Sequence, residues 1–300
     1  MEEDSLPADL VADLQVQRAT PVRGGDIAQA YRLDTAHGPL FAKTHASPSP
    51  GMFEREAAGL RALREHCPEE VGVPQVLRES SSGLVLEWIE EDGMPARQTE
   101  VALGRSLAHL HGAGSGPGVD GSGTSGDPVG FGGLAGDSHG YLGSVPVDLT
   151  PTPSWPEFYL RRRLAPLVTR AVGECRLDPA ATGILSELEP RAEELCGPIS
   201  SPALLHGDLW GGNRLVDTTG RNWLIDPACF WGHPEVDLAM MQLFGGFGPE
   251  CLDAYQEVSP LADNWRERVP WYQLAPLLVH AILFGGGYGA AALRALTRYR

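Results

Sequence analysis

Paired cysteines, clustered positive charge and an unbroken apolar run are all missing from this 300-residue chain. The five cysteines (Cys67, Cys175, Cys196, Cys229 and Cys251) are odd in number and never stand as CxxC. That spacing excludes a disulfide framework or a zinc knuckle and leaves reduced, cytoplasmic thiols as the expectation. Lysine and arginine total 23 against 39 acidic residues, a formal net charge of -16. A nucleic-acid face needs clustered Lys and Arg, and the main cluster, Arg161-Arg162-Arg163, reads as a solvated helix face. The apolar stretch 274–293 is broken by Pro276 and by Gly285-Gly286-Gly287, so it reads as a buried helix ending at the glycines rather than a membrane span. The acidic start, Met1-Glu2-Glu3-Asp4, lacks the basic-then-apolar signature of a signal peptide. HExxH is absent too, which removes zinc peptidases of that motif from consideration, and Gly24-Gly25 lacks the full GxGxxG pattern around it. Gly38–Thr44 ends in Lys-Thr like a Walker loop, but Ala42 stands where glycine is required and the run reads as a strand.

What is present is a kinase-like constellation. In His206-Gly207-Asp208-Leu209-Trp210-Gly211-Gly212-Asn213, an aspartate and an asparagine stand five residues apart, and Asp226 closes the apolar run Trp223-Leu224-Ile225. Kinase-like enzymes use that spacing between a catalytic carboxylate and a magnesium-binding amide. Asp208 is therefore the expected base for a substrate hydroxyl, and Asn213 and Asp226 the expected Mg²⁺ ligands beside ATP. Lys43, in a strand-like setting, is the expected partner of the phosphates. Glu56, thirteen residues on and beside the apolar face of the next helix, would hold it; Glu54 points to the far side of that helix. Backbone amides at Gly24 and Gly25 could cap the phosphates. His206 reads as structural. Among His233, Glu235 and Asp237, at the start of a following helix, Asp237 is expected to brace the catalytic loop, while Glu235 could equally form a salt bridge. Trp210 could stack on a sugar or amine substrate, or simply wedge the loop.

Along the chain, residues 1–20 suggest a short amphipathic helix. Two strands follow at Ile27–Leu33 and Pro39–Thr44, then a helix at Met52–His66 with Phe53, Ala57, Leu60 and Leu63 on one face, and a strand at Val85–Ile89. After a helix through Leu103, Leu107 and Leu110 comes a glycine-rich stretch, 112–140, expected to be a flexible loop. Helices at Trp155–Val172, Pro179–Leu195, Pro234–Phe244 and Pro249–Tyr255 surround short strands at Ala203–Leu205, Arg214–Val216 and Trp223–Ile225. The expectation is an α+β, two-lobed fold: a small β-rich N-lobe over 1–89, binding nucleotide phosphates, and a larger, mainly helical C-lobe over 90–300, carrying the catalytic loop, magnesium and substrate.

These motifs together resemble the fructosamine kinase, or ketosamine 3-kinase, family. The match rests on HGDLWGGN (206–213), DPA (226–228), GHPEVDLAM (232–240) and LFGGF (243–247), with weaker matches at Gly38–Lys43, Phe53–Leu60, Tyr141–Pro146, Trp155–Leu164 and Tyr272–Tyr288. The resemblance implies a protein-kinase-like fold and ATP-dependent phosphorylation of the 3-hydroxyl of a sugar joined to an amine as a ketoamine, after which the unstable phosphate leaves and the amine is deglycated. It further implies that Glu87, Trp88 and Ile89 form the hinge that receives adenine through backbone bonds. Phe131–Gly140 is more glycine-rich than the family's corresponding segment, and Val147-Asp148 replaces a more polar pair; both departures bear on the substrate. The alternatives are an aminoglycoside- or choline-type kinase for another amine-bearing metabolite, or a catalytically inactive nucleotide-binding scaffold. No nucleic acid or membrane partner is expected, and the chain is expected to be a monomer or weak dimer.

Overall fold

The computed structural model describes residues 6–22, 28–91, 93–113, 130–134, 136–199 and 201–300. Its N-terminal part is built on a five-stranded antiparallel sheet. After a one-turn helix α1 (Ala8–Val11) come β1 (Val16–Val22), β2 (Gln29–Thr35), β3 (Gly38–Thr44), β4 (Val71–Gly72), β5 (Val76–Ser80) and β6 (Gly83–Glu87), and the sheet order is β1-β2-β3-β6-β5. Period-2 alternation sorts β6 into two faces. Leu84 and Leu86 join Phe53, Ala57 and Leu60 of α2 (Met52–His66) in one core, whereas Val85 joins Tyr31, Leu33, Ala42 and Leu10 in another. The helix expected over 1–20 is thus reduced to α1, and β1 takes the rest. With β-branched residues at Val16, Thr20 and Val22, the run suits an edge strand, which also tolerates Pro21 opposite Tyr31.

The remainder is mostly helical, in the α+β arrangement expected. Helix α3 (Arg97–Ala113) precedes a hairpin of β7 (His139–Leu142) and β8 (Val145–Asp148). The flexible-loop expectation for 112–140 is corrected at both ends. Residues 112–113 complete α3, and in 130–140 Phe131 and Leu134 are buried. There Phe131 pairs with Thr152 and Gly132 with Trp231. Apolar side chains at Phe131 and Leu134, with glycine backbones between them, let this stretch pack; residues 114–129 and 135 lie outside the described residues.

The helix expected at Trp155–Val172 is α4 (Trp155–Glu157), a π-helical stretch (Phe158–Leu164) and α5 (Ala165–Gly173). Pro166 has no N–H for the regular i→i−4 bond, and Ala165 instead donates to Leu160 O, five residues back. Next come α6 (Ala180–Leu188), α7 (Ala192–Cys196), β9 (Ala203–Leu205), β10 (Arg214–Val216), β11 (Asn222–Leu224) and β12 (Phe230–Gly232). Strand β12 pairs antiparallel with β9, and the β10–β11 hairpin picks up β4 in parallel. Helices α8 (Glu235–Leu243), α9 (Pro249–Val258), α10 (Trp265–Tyr272), α11 (Leu274–Phe284) and α12 (Tyr288–Thr297) close the chain. Gly285 (φ +67°) and Gly286 (φ +62°) separate α11 from α12 in left-handed backbone. No helix among the described residues is long and apolar enough to cross a membrane.

Candidate active site

Strand β3 and helix α2 bring together the first three charges. Along β3, Ala42 and Thr44 are buried while Lys43 points out of the core towards α2. On α2, Phe53 and Leu60 are fully buried, so Glu56, three residues after one and four before the other, faces the strand. Lys43 Nζ donates to both oxygens of Glu56, at 3.0 and 2.9 Å, and lies 3.1 Å from Asp226 Oδ2. Burial alone would lower the lysine, but Asp226 and Glu56 outweigh it and hold it above its ordinary value. With one cation for two carboxylates, burial together with Asp226 raises Glu56 against the pull of Lys43.

The second half of the site is the turn from β9 into β10. Asp237, on α8 and fully buried, accepts His206 N–H at 2.8 Å and Gly207 N–H at 2.9 Å. Behind it, His111 Nε2 lies 3.3 Å from Asp237, and His111 Nδ1 lies 3.0 Å from Tyr255 Oη. His206 donates through Nε2 to Ile225 O at 2.9 Å and accepts Asp208 N–H at Nδ1, so its ring joins the two loops. Burial keeps it neutral by lowering its pKa. Gly207 (φ +81°) cannot be replaced without conflict, because a Cβ would stand 2.1 Å from Ala228 O. At the end of this turn Asn213 Nδ2 donates to Asp208 O at 2.9 Å, Asp208 Oδ2 at 3.1 Å and Asp226 O at 3.4 Å. Burial, then the nearby Asp226, raise Asp208 to about 7, with Asn213 working against them.

Lys43, Glu56, Asp208, Asn213 and Asp226 therefore converge on one place. Trp210 stands at its rim, half-exposed, with its ring over Gly212 and its edge on Phe244 at 6.0 Å. His233 and Glu235 point elsewhere. His233 sits among Trp155 and Tyr272 and bonds Pro198 O, while Glu235 forms a two-pronged buried pair with Arg268 at 2.8 and 2.5 Å. Of the two readings of Glu235, the structure shows the salt bridge. Glu87 is the last paired residue of β6, opposite Leu40, so Trp88 and Ile89 leave the ladder there. The Glu87 and Trp88 side chains turn to Gln75 N–H and Glu90 respectively. Gly24 and Gly25 lie outside the described residues.

Sequence spacing missed a layer of supports. Arg214, just after Asn213, forms a buried pair with Glu100 of α3 at 2.6 Å and bonds Asn222 at 2.9 Å. Glu100 also accepts Gly248 N–H at 2.9 Å. The glycines of Phe244-Gly245-Gly246-Phe247 meet those of the catalytic turn: Gly211 N–H donates to Gly245 O at 3.2 Å, and a Cβ on Gly246 would stand 2.5 Å from Gly211 Cα. The paired Gly-Gly steps in the two motifs were the visible signal of this contact.

The donor set suits magnesium held jointly with phosphates. Asn213 uses only its amide nitrogen in the bonds above, one of them to the main-chain carbonyl of Asp226, which leaves its side-chain oxygen for a metal. Among the described residues no cluster of three or more His, Cys, Asp or Glu could hold a metal by itself. One amide and one carboxylate, completed by phosphate oxygens and water, match the preference of Mg²⁺.

The family profile described as fructosamine kinase matches residues 3–299. A probable ketoamine kinase from Enterococcus faecium is 34% identical over 97% of this chain and 98% of its own length. A chloroplastic protein-ribulosamine 3-kinase from Oryza sativa subsp. indica is 32% identical over 95% of this chain and 79% of its own. The crystal structure of a candidate fructosamine-3-kinase from Thermobifida fusca superposes with a TM-score of 0.83 at 34% identity, covering 97% of this chain and 96% of that one. At 17% identity, a macrolide 2'-phosphotransferase from Brachybacterium faecium still gives a TM-score of 0.60 over 95% of this chain and 94% of its own, which marks the fold as that of protein-kinase-like phosphotransferases.

Proposed function

Because the chain belongs to the fructosamine kinase family, we propose that it transfers the γ-phosphoryl group of ATP to a ring or chain hydroxyl, the 3-hydroxyl, of a ketosamine. The observation that carries the chemistry is the convergence of Lys43, Glu56, Asp208, Asn213 and Asp226. Nucleotide phosphates would lie against Lys43, with adenine at the main chain of Glu87–Ile89. Asn213 and Asp226 would hold Mg²⁺, which neutralises the phosphate charge when bound. Asp208 accepts the substrate hydroxyl proton as the new O–P bond forms and the bond to ADP breaks. Its elevated affinity for a proton suits that role, and Asp237 keeps its main chain fixed through two charge-assisted bonds. Trp210, half-exposed at the rim, would cover the sugar or its amine.

Incubation with Mg·ATP and a synthetic fructosamine or ribulosamine, followed by phosphorus NMR of the product, tests both transfer and its position. A 3-phosphate is expected. Turnover confined to aminoglycosides would overturn the ketosamine assignment.

A further inference from the structure

The three consecutive arginines do not form one solvated face. Arg161 reaches Glu189 and Arg162 reaches Asp148, each at 2.9 Å, both near the surface. The π-helical stretch turns Arg163 inward, where it is 4% exposed. Its guanidinium lies over the Phe230 ring at 4.5 Å and the Phe158 ring at 5.8 Å. Among the described residues it has neither a carboxylate within ion-pair distance nor a hydrogen-bond acceptor. Burial lowers it to about 10, with Tyr159 and Asp148 opposing, so it remains a cation at neutral pH. A buried guanidinium with no acceptor in direct contact is costly, and native interiors normally supply one.

Arg163 lines a cavity of about 20 Å³ whose other walls include Leu142, Phe230, Met240 and Pro276. One water needs roughly 10–15 Å³, so the space has room for one small ion or group. Gly207 and Ala228 form one side of it. Gly207 adjoins Asp208, Ala228 lies two residues after Asp226, and the two touch where Gly207 lacks a Cβ. We propose that this cavity binds one small monovalent anion, a halide or a single carboxylate group, against Arg163 and behind the contact between the two catalytic loops. The anion can be free in solution, or it can be the carboxylate of a ketosamine derived from an amino acid; the second source rests on the function proposed above.

The test has two arms. Crystals of the full chain grown with sodium bromide should show an anomalous peak beside the Arg163 guanidinium. In parallel, KM is compared for an N-fructosyl amino acid and for the same fructosylamine without its carboxylate, in wild type and Arg163→Met. If the substrate carboxylate fills the site, Arg163→Met raises KM at least about tenfold for the first substrate only, and Arg163→Lys restores part of it. If a free halide fills it, both KM values stay level while the bromide peak is present. The absence of a bromide peak together with equal KM changes for the two substrates overturns the proposal. If Arg163→Met fails to fold or no ketosamine is turned over, diffraction is read alone: a bromide peak beside Arg163 supports the proposal and its absence overturns it, while absent turnover counts against the function only.

Discussion

Asp208 carries an internal conflict between stability and chemistry. Its folded pKa, about 7, lies above the ordinary 3.8, so the fold disfavours its charge once the pH exceeds 3.8, and fully so above 7. The proposed reaction nevertheless needs that carboxylate ionised. Asp208→Asn should therefore pull in two directions. At pH 8, without nucleotide or metal, it should unfold at higher urea, by on the order of 2–4 kcal/mol. Its kcat should fall by about 10²–10⁴. Equilibrium unfolding and initial rates measured on one preparation check both; a variant that is less stable and fully active would refute the assignment. Nearby, the five chemically central residues were legible from spacing alone, because kinase chemistry fixes the Asp208–Asn213 interval and strand-to-helix geometry fixes Lys43 to Glu56. Glu100, His111 and Asn222 were not legible. Glu100 meets Arg214 across 114 positions of the chain and His111 meets Asp237 across 126, so no local pattern announces either pair.

At the scale of elements, legibility followed the strength of the local period. Helix α2 was read at its observed ends because its apolar face repeats cleanly and Gly51 precedes it in left-handed backbone. Strand β1 was missed because only one flank of it is covered, so its apolar positions are sparse. Strand β12 was missed because three residues carry no period, and the π-helical stretch because its sequence reads as an ordinary apolar helix. Close packing between helices was equally hidden. Gly104 of α3 lies so near α9 that a Cβ would stand 1.9 Å from Cys251 O. Gly104→Ala, which should favour the helix by itself, is expected instead to push the two helices apart and cost about 1–3 kcal/mol. A thermal midpoint lowered by several degrees would be the readout, whereas an unchanged or raised midpoint would contradict this packing. Because Glu100 stands one turn earlier on the same helix face and holds Arg214 and Gly248, kcat should fall with it.

At the scale of the whole molecule, one contribution to stability that acid removes comes from a buried neutral histidine, His233. Burial lowers His233 to about 3. Above the ordinary value of 6.5 both folded and unfolded chains leave it neutral; as the pH falls from 6.5 towards 3, only the unfolded chain takes the proton, so folding stability is lost across that window. Between pH 7.5 and 5.0 this group should remove about 2 kcal/mol. His233→Asn should unfold more easily at pH 7.5 yet show a shallower decline to pH 5.0, and equal slopes in urea titrations would exclude His233 as the source. The Lys43 bridge operates at the same scale, since it ties the N-terminal sheet to the turn that carries Asp226. Lys43 is also the single lysine among 300 residues, and its ammonium is occupied by two carboxylates. Reducing sugars attach to free amines. A protein whose one side-chain amine is kept protonated inside an ion pair offers them almost nothing to attack, so an enzyme proposed to remove sugars from other molecules is itself a poor target for the same damage.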